Sequence, residues 1–241
     1  MKKILITLAL LFAIPITGKA LEFEEVSKEE KYFKTTVYDS NLVRSSSNYA
    51  ITEEITKEEY ESFNPDVMPL ASASTTTTYK KLTTYILTNG NYYRYKATLE
   101  WRNIPKVRSY DTIGIGHYSS VIIRGSVHFS QTYCPVNDDC RTISSYYGKT
   151  TDTGSAATFK VPSGNLESLE QTFYFDVEKR NSSTTVISQK ASGDYSHAIQ
   201  TVTTTQARNF NINNSGIQYN SSVIDYFDDI STASATWSGT W

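Results

Sequence analysis

The sequence predicts an all-β protein: an antiparallel β-sandwich or jelly-roll-like domain behind a mostly disordered or short-helical N-terminal arm. Three observations point there. The chain holds 18 Tyr, 10 Phe and 3 Trp but only 20% charged residues, and aromatic and β-branched residues favour strands. Short runs of period-2 alternation recur along its second half, separated by turn residues. One pair of runs flanks Asn89-Gly90, a strong hairpin signal, because the turn it favours needs φ > 0 at both central residues.

The elements follow in chain order. Lys2-Lys3, the apolar stretch Ile4–Ile16 and Gly18-Lys19-Ala20 form a secretory signal pattern, with cleavage expected after Ala20. The stretch is too short for a membrane span. Beyond it no second hydrophobic run of membrane length, lipid-accepting Cys or LPxTG-like motif occurs, so the expected location is secreted, extracellular. From Leu21 to Met68 there are 12 acidic and 5 basic residues, and from Pro69 to Trp241 13 acidic and 15 basic. An acidic segment (21–74) therefore precedes a nearly neutral body (75–241). Ser27-x-x-Glu30 and Thr56-x-x-Glu59 are capping-box patterns. They predict short helices near Lys28–Lys34 and Lys57–Phe63. The segment reads either as a flexible arm, dispensable for folding, or as a propeptide removed near Ala73.

In the body, pairing residues whose numbers sum to 179 across Asn89-Gly90 sets Ile86 against Tyr93 and Leu82 against Ala97. The apolar face also holds Tyr95, Leu99 and Trp101, together with Lys80. Tyr85, Arg94, Lys96 and Glu100 take the other face. Leu169–Glu178 alternates Leu169, Gln171, Phe173, Phe175 and Val177 with polar residues. At the C-terminus Ala233, Ala235, Trp237, Gly239 and Trp241 share a face, expected to be buried with Trp237 deep. Weaker strands are expected at Asp111–His117, Val121–Arg124, Ser126–Cys134, Arg141–Tyr147, Ala156–Val161, Thr184–Gln189 and Ser196–Thr204, with a turn at Gly193-Asp194. Ile224–Ile230 reads equally as a helical turn or a strand. Cys134 and Cys140 are the two cysteines. In an exported chain their spacing predicts one local disulfide that pins a hairpin tip.

Thr78–Thr84, Arg94–Trp101, Ile104–Asp111, Gly114-Ile-Gly116 and Ala235–Trp241 together resemble secreted proteins of low-GC Gram-positive bacteria. The resemblance spans most of residues 76–241 and implies a compartment, but no activity.

Catalytic signatures such as His-Glu-x-x-His, Gly-x-Ser-x-Gly and a phosphate-binding loop are missing. His117, His128 and His197 lack metal-ligand spacing, and no metal or cofactor is expected. Glycosidase chemistry needs two suitably spaced carboxylates. The candidates are Asp225, Asp228 and Asp229, Glu167 with Glu170, and Asp176 with Glu178. The aromatic surplus suggests a binding face instead, carried by Tyr85, Tyr92 and Arg94, with Tyr146, Tyr147 and Tyr174 as further outward aromatics. The reading is a non-enzymatic extracellular binding module for a cell-envelope glycan or a protein partner. The alternative is a secreted β-rich toxin of the pore-forming kind, and a polysaccharide-active enzyme stands third. A body carrying a net charge near +2 argues against nucleic acid.

Overall fold

A computed structural model describes residues 22–38, 49–63, 75–181 and 185–241. The signal pattern and the cleavage expected near Ala73 lie outside the described residues. The described chain forms an antiparallel sandwich. The larger sheet runs β2 (Tyr49–Ile55), β1 (Glu24–Tyr38), β3 (Thr75–Thr88), β4 (Tyr93–Trp101), β11 (Leu166–Lys179), β7 (His128–Pro135), β8 (Arg141–Ile143), with β6 (Ser120–Ile122) also on β11. The facing sheet runs β15 (Ser231–Ser238), β12 (Ser188–Ser196), β5 (Tyr110–His117), β10 (Gly154–Lys160), β9 (Tyr147–Thr151). A small hairpin of β13 (Phe210–Asn213) and β14 (Gly216–Tyr219) packs on the outer face of β5 and β10, where Phe210, Ile212 and Ile217 bury Ala156. The short helices are α1 (Lys57–Ser62) and α2 (Thr204–Ala207), and Ile224–Tyr226 is a 3₁₀ turn.

The core lies between the sheets. Leu169, Gln171, Phe173, Phe175 and Val177 are all buried, as their alternation predicts. They meet Ile113, Ile115, Phe159, Ala191, Ala233 and Ala235 from the facing sheet. The disulfide joins Cys134 to Cys140 and closes the β7–β8 connection.

Four expectations give way. The helix near Lys28–Lys34 is instead the middle of β1, which pairs with β3 from Glu24–Thr88 to Tyr38–Thr75. A local capping pattern is worth about 1 kcal/mol, far less than a ladder of that length with Phe33 in the core and Tyr32 under α1. The sandwich therefore begins at Glu24 rather than near residue 75, and the acidic segment is structural. The other helix, α1, does form, and Thr56 Oγ1 accepts from Glu59 N at 3.1 Å.

The first hairpin pairs in the register summing to 181, Ile86 with Tyr95 and Lys80 with Trp101. A shift of two residues keeps every side chain on its predicted face. It also sets Lys81 opposite Glu100, with their charges 2.6 Å apart. The connection becomes a four-residue loop in which Asn89 Oδ1 accepts from Asn91 N and Tyr92 N, and only Gly90 takes a positive φ, +86°.

Gly193-Asp194 is not a turn but the centre of β12, which replaces the two strands expected around it. A Cβ on Gly193 would lie 2.2 Å from Thr84 Oγ1 and 3.2 Å from Ala97 Cβ. The glycine lets the sheets approach. Lastly, Trp237 is only half-buried; it and Trp241 close the sandwich rim on Tyr93, at ring separations of 5.2 and 4.7 Å.

Two buried titratable groups oppose each other. Burial pushes His117, whose Nδ1 pairs with Ser120 Oγ at 3.0 Å, down to about 4. Burial pushes Asp194 up to about 7, although Thr232 Oγ1 and Ile217 N donate to its carboxyl. As pH falls from 6.5 toward 4, the unfolded state takes up the His117 proton first, so stability is lost. Between about 4 and 7 the folded state holds the Asp194 proton more tightly, so stability is gained as pH falls. Each contribution is worth about 3–4 kcal/mol, and in the wild type they largely cancel. Asp194→Asn should therefore unmask the histidine: urea denaturation should show stability falling by about 2 kcal/mol from pH 6.5 to 4.5. An Asp194→Asn profile parallel to that of the wild type would contradict this.

Candidate functional site

The outer face of the larger sheet carries a row of side chains in direct cross-strand register. Lys28 on β1 lies opposite Tyr85 on β3, Tyr85 opposite Lys96 on β4, Lys96 opposite Tyr174 on β11, and Tyr174 opposite His128 on β7. Cation and aromatic thus alternate across five strands. Lys28 Nζ and Lys96 Nζ lie 5.7 and 5.2 Å from the Tyr85 ring centre, and His128 stacks on Tyr174 at 4.9 Å. Strand spacing of about 4.8 Å sets Tyr85 and Tyr174, two strands apart, about 10 Å from each other.

Arg94 stands one step along the strand. It binds Asp176 through two hydrogen bonds, 2.7 and 3.1 Å, and its guanidinium is held between the rings of Phe23 and Tyr174 at 4.0 and 4.3 Å. Tyr92 sits beside Phe23, 6.3 Å between ring centres. Of the residues named from sequence, Tyr85, Tyr92 and Arg94 thus share one surface, joined by Phe23 and Lys28 from β1 and its leading residues. Arg94 is already paired, so it fixes the surface more than it offers a free charge. Lys28 is engaged by Glu30 at 2.6 Å. Lys96 makes no ion pair among the described residues, and it is the cation left for a ligand. Burial raises Tyr85 above the ordinary tyrosine range, so its hydroxyl stays protonated.

Helix α1 covers the far end of this face. Tyr60 packs on Tyr32 and Phe63 stacks on Tyr79, at 5.0 and 4.2 Å. Within the row Tyr85, Lys96 and Tyr174 are half-buried, and Lys28 and His128 at its two ends are exposed. Tyr146 is instead packed on Phe129 and donates to Val127 O, while Tyr147 is exposed beneath Arg208.

The carboxylates singled out in the sequence divide. Asp176 is bound by Arg94; Glu167, Glu170 and Glu178 are exposed. Asp225, Asp228 and Asp229 line a cleft of about 560 Å³ with Tyr49, Phe227 and Ile230. There the Asp228 side chain is fully buried against Lys80, and Asp229 accepts Thr52 N at 3.3 Å. Behind the cleft Asp111 takes the Tyr195 hydroxyl, the His197 ring and Ala198 N. Sequence reasoning named Asp228 as a candidate carboxylate and placed Lys80 on a mostly apolar face, but did not bring the two together or join them to Asp111, Tyr195 and His197.

No helix among the described residues is long and apolar enough to cross a membrane. No protein-family model matches the chain, and no curated protein does. Among solved structures it is similar to one described as "AvmM Catalyzes Macrocyclization in Alchivemycin A Biosynthesis", at 10% identity and a TM-score of 0.29, over 62% of this chain and 82% of that one. A likeness this low says nothing of this chain's activity.

Proposed function

We propose that the protein is a secreted, non-enzymatic binding module whose outer sheet face takes a cell-envelope glycan carrying anionic groups. The observation that carries this reading is the register-aligned row of Lys28, Tyr85, Lys96, Tyr174 and His128. Tyr85 and Tyr174, about 10 Å apart, match successive contacts along one extended oligosaccharide; Arg94 and His128 cover the Tyr174 ring, so Tyr174 contributes its ring edge and hydroxyl rather than a stacking face. Lys96 between them supplies the charge for a carboxylate or phosphate on the chain. Anchoring Arg94 between Phe23 and Tyr174 holds Tyr174 in place before binding, which lowers the ordering cost. The signal pattern and the disulfide suit an extracellular setting.

Co-sedimentation with isolated Gram-positive cell walls tests it. Tyr85→Ala and Tyr174→Ala should each weaken binding about tenfold or more, and Lys96→Ala should reduce its salt dependence. Thr236→Ala, on the other sheet, should leave binding unchanged. Equal binding by all four variants would sink the proposal.

A further inference from the structure

We propose that Lys80 and Asp228 condense into an intramolecular amide that ties β3 to the segment before β15. Both side chains are completely buried, and Lys80 Nζ contacts Asp228 Oδ2 directly. Aromatic rings wall the pair, with Trp101 and Tyr195 centred 5.8 and 5.5 Å from Nζ. An ion pair in such surroundings pays heavily for lost hydration. Passing one ammonium proton to Oδ2 in the course of the reaction frees the Nζ lone pair for attack.

The partners of the two carboxyl oxygens are already divided as the reaction needs. Oδ1 accepts His197 N–H at 2.7 Å, and this donor would hold the negative charge that gathers on Oδ1 when Nζ attacks Cγ. Oδ2 accepts Thr35 Oγ1 at 3.4 Å together with Lys80, so it is the oxygen placed to leave. The Nζ–Cγ bond forms and the Cγ–Oδ2 bond breaks. Of the three ammonium protons, two depart with Oδ2 as water and one remains on the amide nitrogen. No oxidant, reductant or co-reactant is needed. The water has an exit, since Asp228 lines the cleft beside Phe227 and Ile230. Asp111 is a positioning residue: by binding the His197 ring and Ala198 N, it fixes the peptide that presents His197 N–H. Holding amine and acid in one place substitutes for an effective concentration of the order of 10⁵ M or more, which lets an otherwise slow condensation proceed.

Mass spectrometry of the folded full chain, after reduction of the Cys134–Cys140 disulfide, decides it. Peptide mapping should yield one cross-linked species joining the Lys80 and Asp228 peptides, lighter than their sum by one water. Lys80→Arg should give only linear peptides. Asp228→Ala should likewise give only linear peptides. A folded wild type with cooperative melting whose Lys80 and Asp228 peptides are recovered only as linear species would overturn the proposal.

Discussion

Replacing Lys80 with Met should destabilise the domain by about 3–5 kcal/mol. The lysine sits with its side chain wholly out of solvent, and so does Asp228. Without it, Asp228 keeps His197 N–H and the Thr35 hydroxyl but loses the group that balances its charge. A buried carboxylate so abandoned must either stay ionised at high cost or take up a proton. The loss is a large share of a typical domain stability of about 5–15 kcal/mol. The double variant Lys80→Met with Asp228→Leu should recover the share of the loss that comes from the abandoned carboxylate, while the share carried by the covalent tie stays lost. Urea denaturation of the three proteins checks both statements. A loss below about 1 kcal/mol in the single variant would show that the pair does not hold the sheets together.

Removal of β1 and β2 should be more damaging still. A chain beginning at Thr75 should show no cooperative thermal transition, whereas one beginning at Leu21 should melt cooperatively. β1 pairs with β3 along nearly the whole of both strands, places Phe33 in the main core and gives Thr35 to Asp228. Without it, β3 becomes a long unpaired edge, the kind of strand that recruits other chains. Aggregation of the shortened protein, monitored by light scattering, is the accompanying expectation. A cooperative melt from the shortened chain would mean that β1 is an accessory strand.

Why β1 was hard to read explains much of the difference between sequence and structure. Tyr32–Tyr38 is a run of β-forming residues, but Ser27-x-x-Glu30 ahead of it suggested a helix start. The deciding force is a ladder to residues some fifty positions away, and no local window contains it. β11 was legible because its alternation is unbroken from Leu169 to Val177. The first hairpin lies between these cases: period 2 fixes which side chains share a face, but registers two residues apart satisfy it equally. Contacts such as Lys81 with Glu100 separate them. Gly193 shows the same limit. A glycine in sequence signals a turn or a close approach, and only the facing Thr84 and Ala97 reveal which.

The candidate surface was legible in part for the same reason. Tyr85 and Arg94 follow from the hairpin's faces, whereas Phe23 and Lys28 depend on knowing that β1 is a strand. Lys80 and Asp228 each stood out in sequence but not as partners, since they lie 148 residues apart.

Ligand is expected to bind across the outer face of the larger sheet. Chemical-shift mapping by NMR, titrating a soluble anionic cell-wall oligosaccharide into the folded protein, addresses it most directly. A continuous band of perturbed amides should cross β1, β3, β4, β11 and β7 at Lys28, Tyr85, Lys96, Tyr174 and His128, and should be absent in Tyr85→Ala. Perturbations confined to β15, β12, β5, β10 and β9, or none at saturating oligosaccharide, would contradict it.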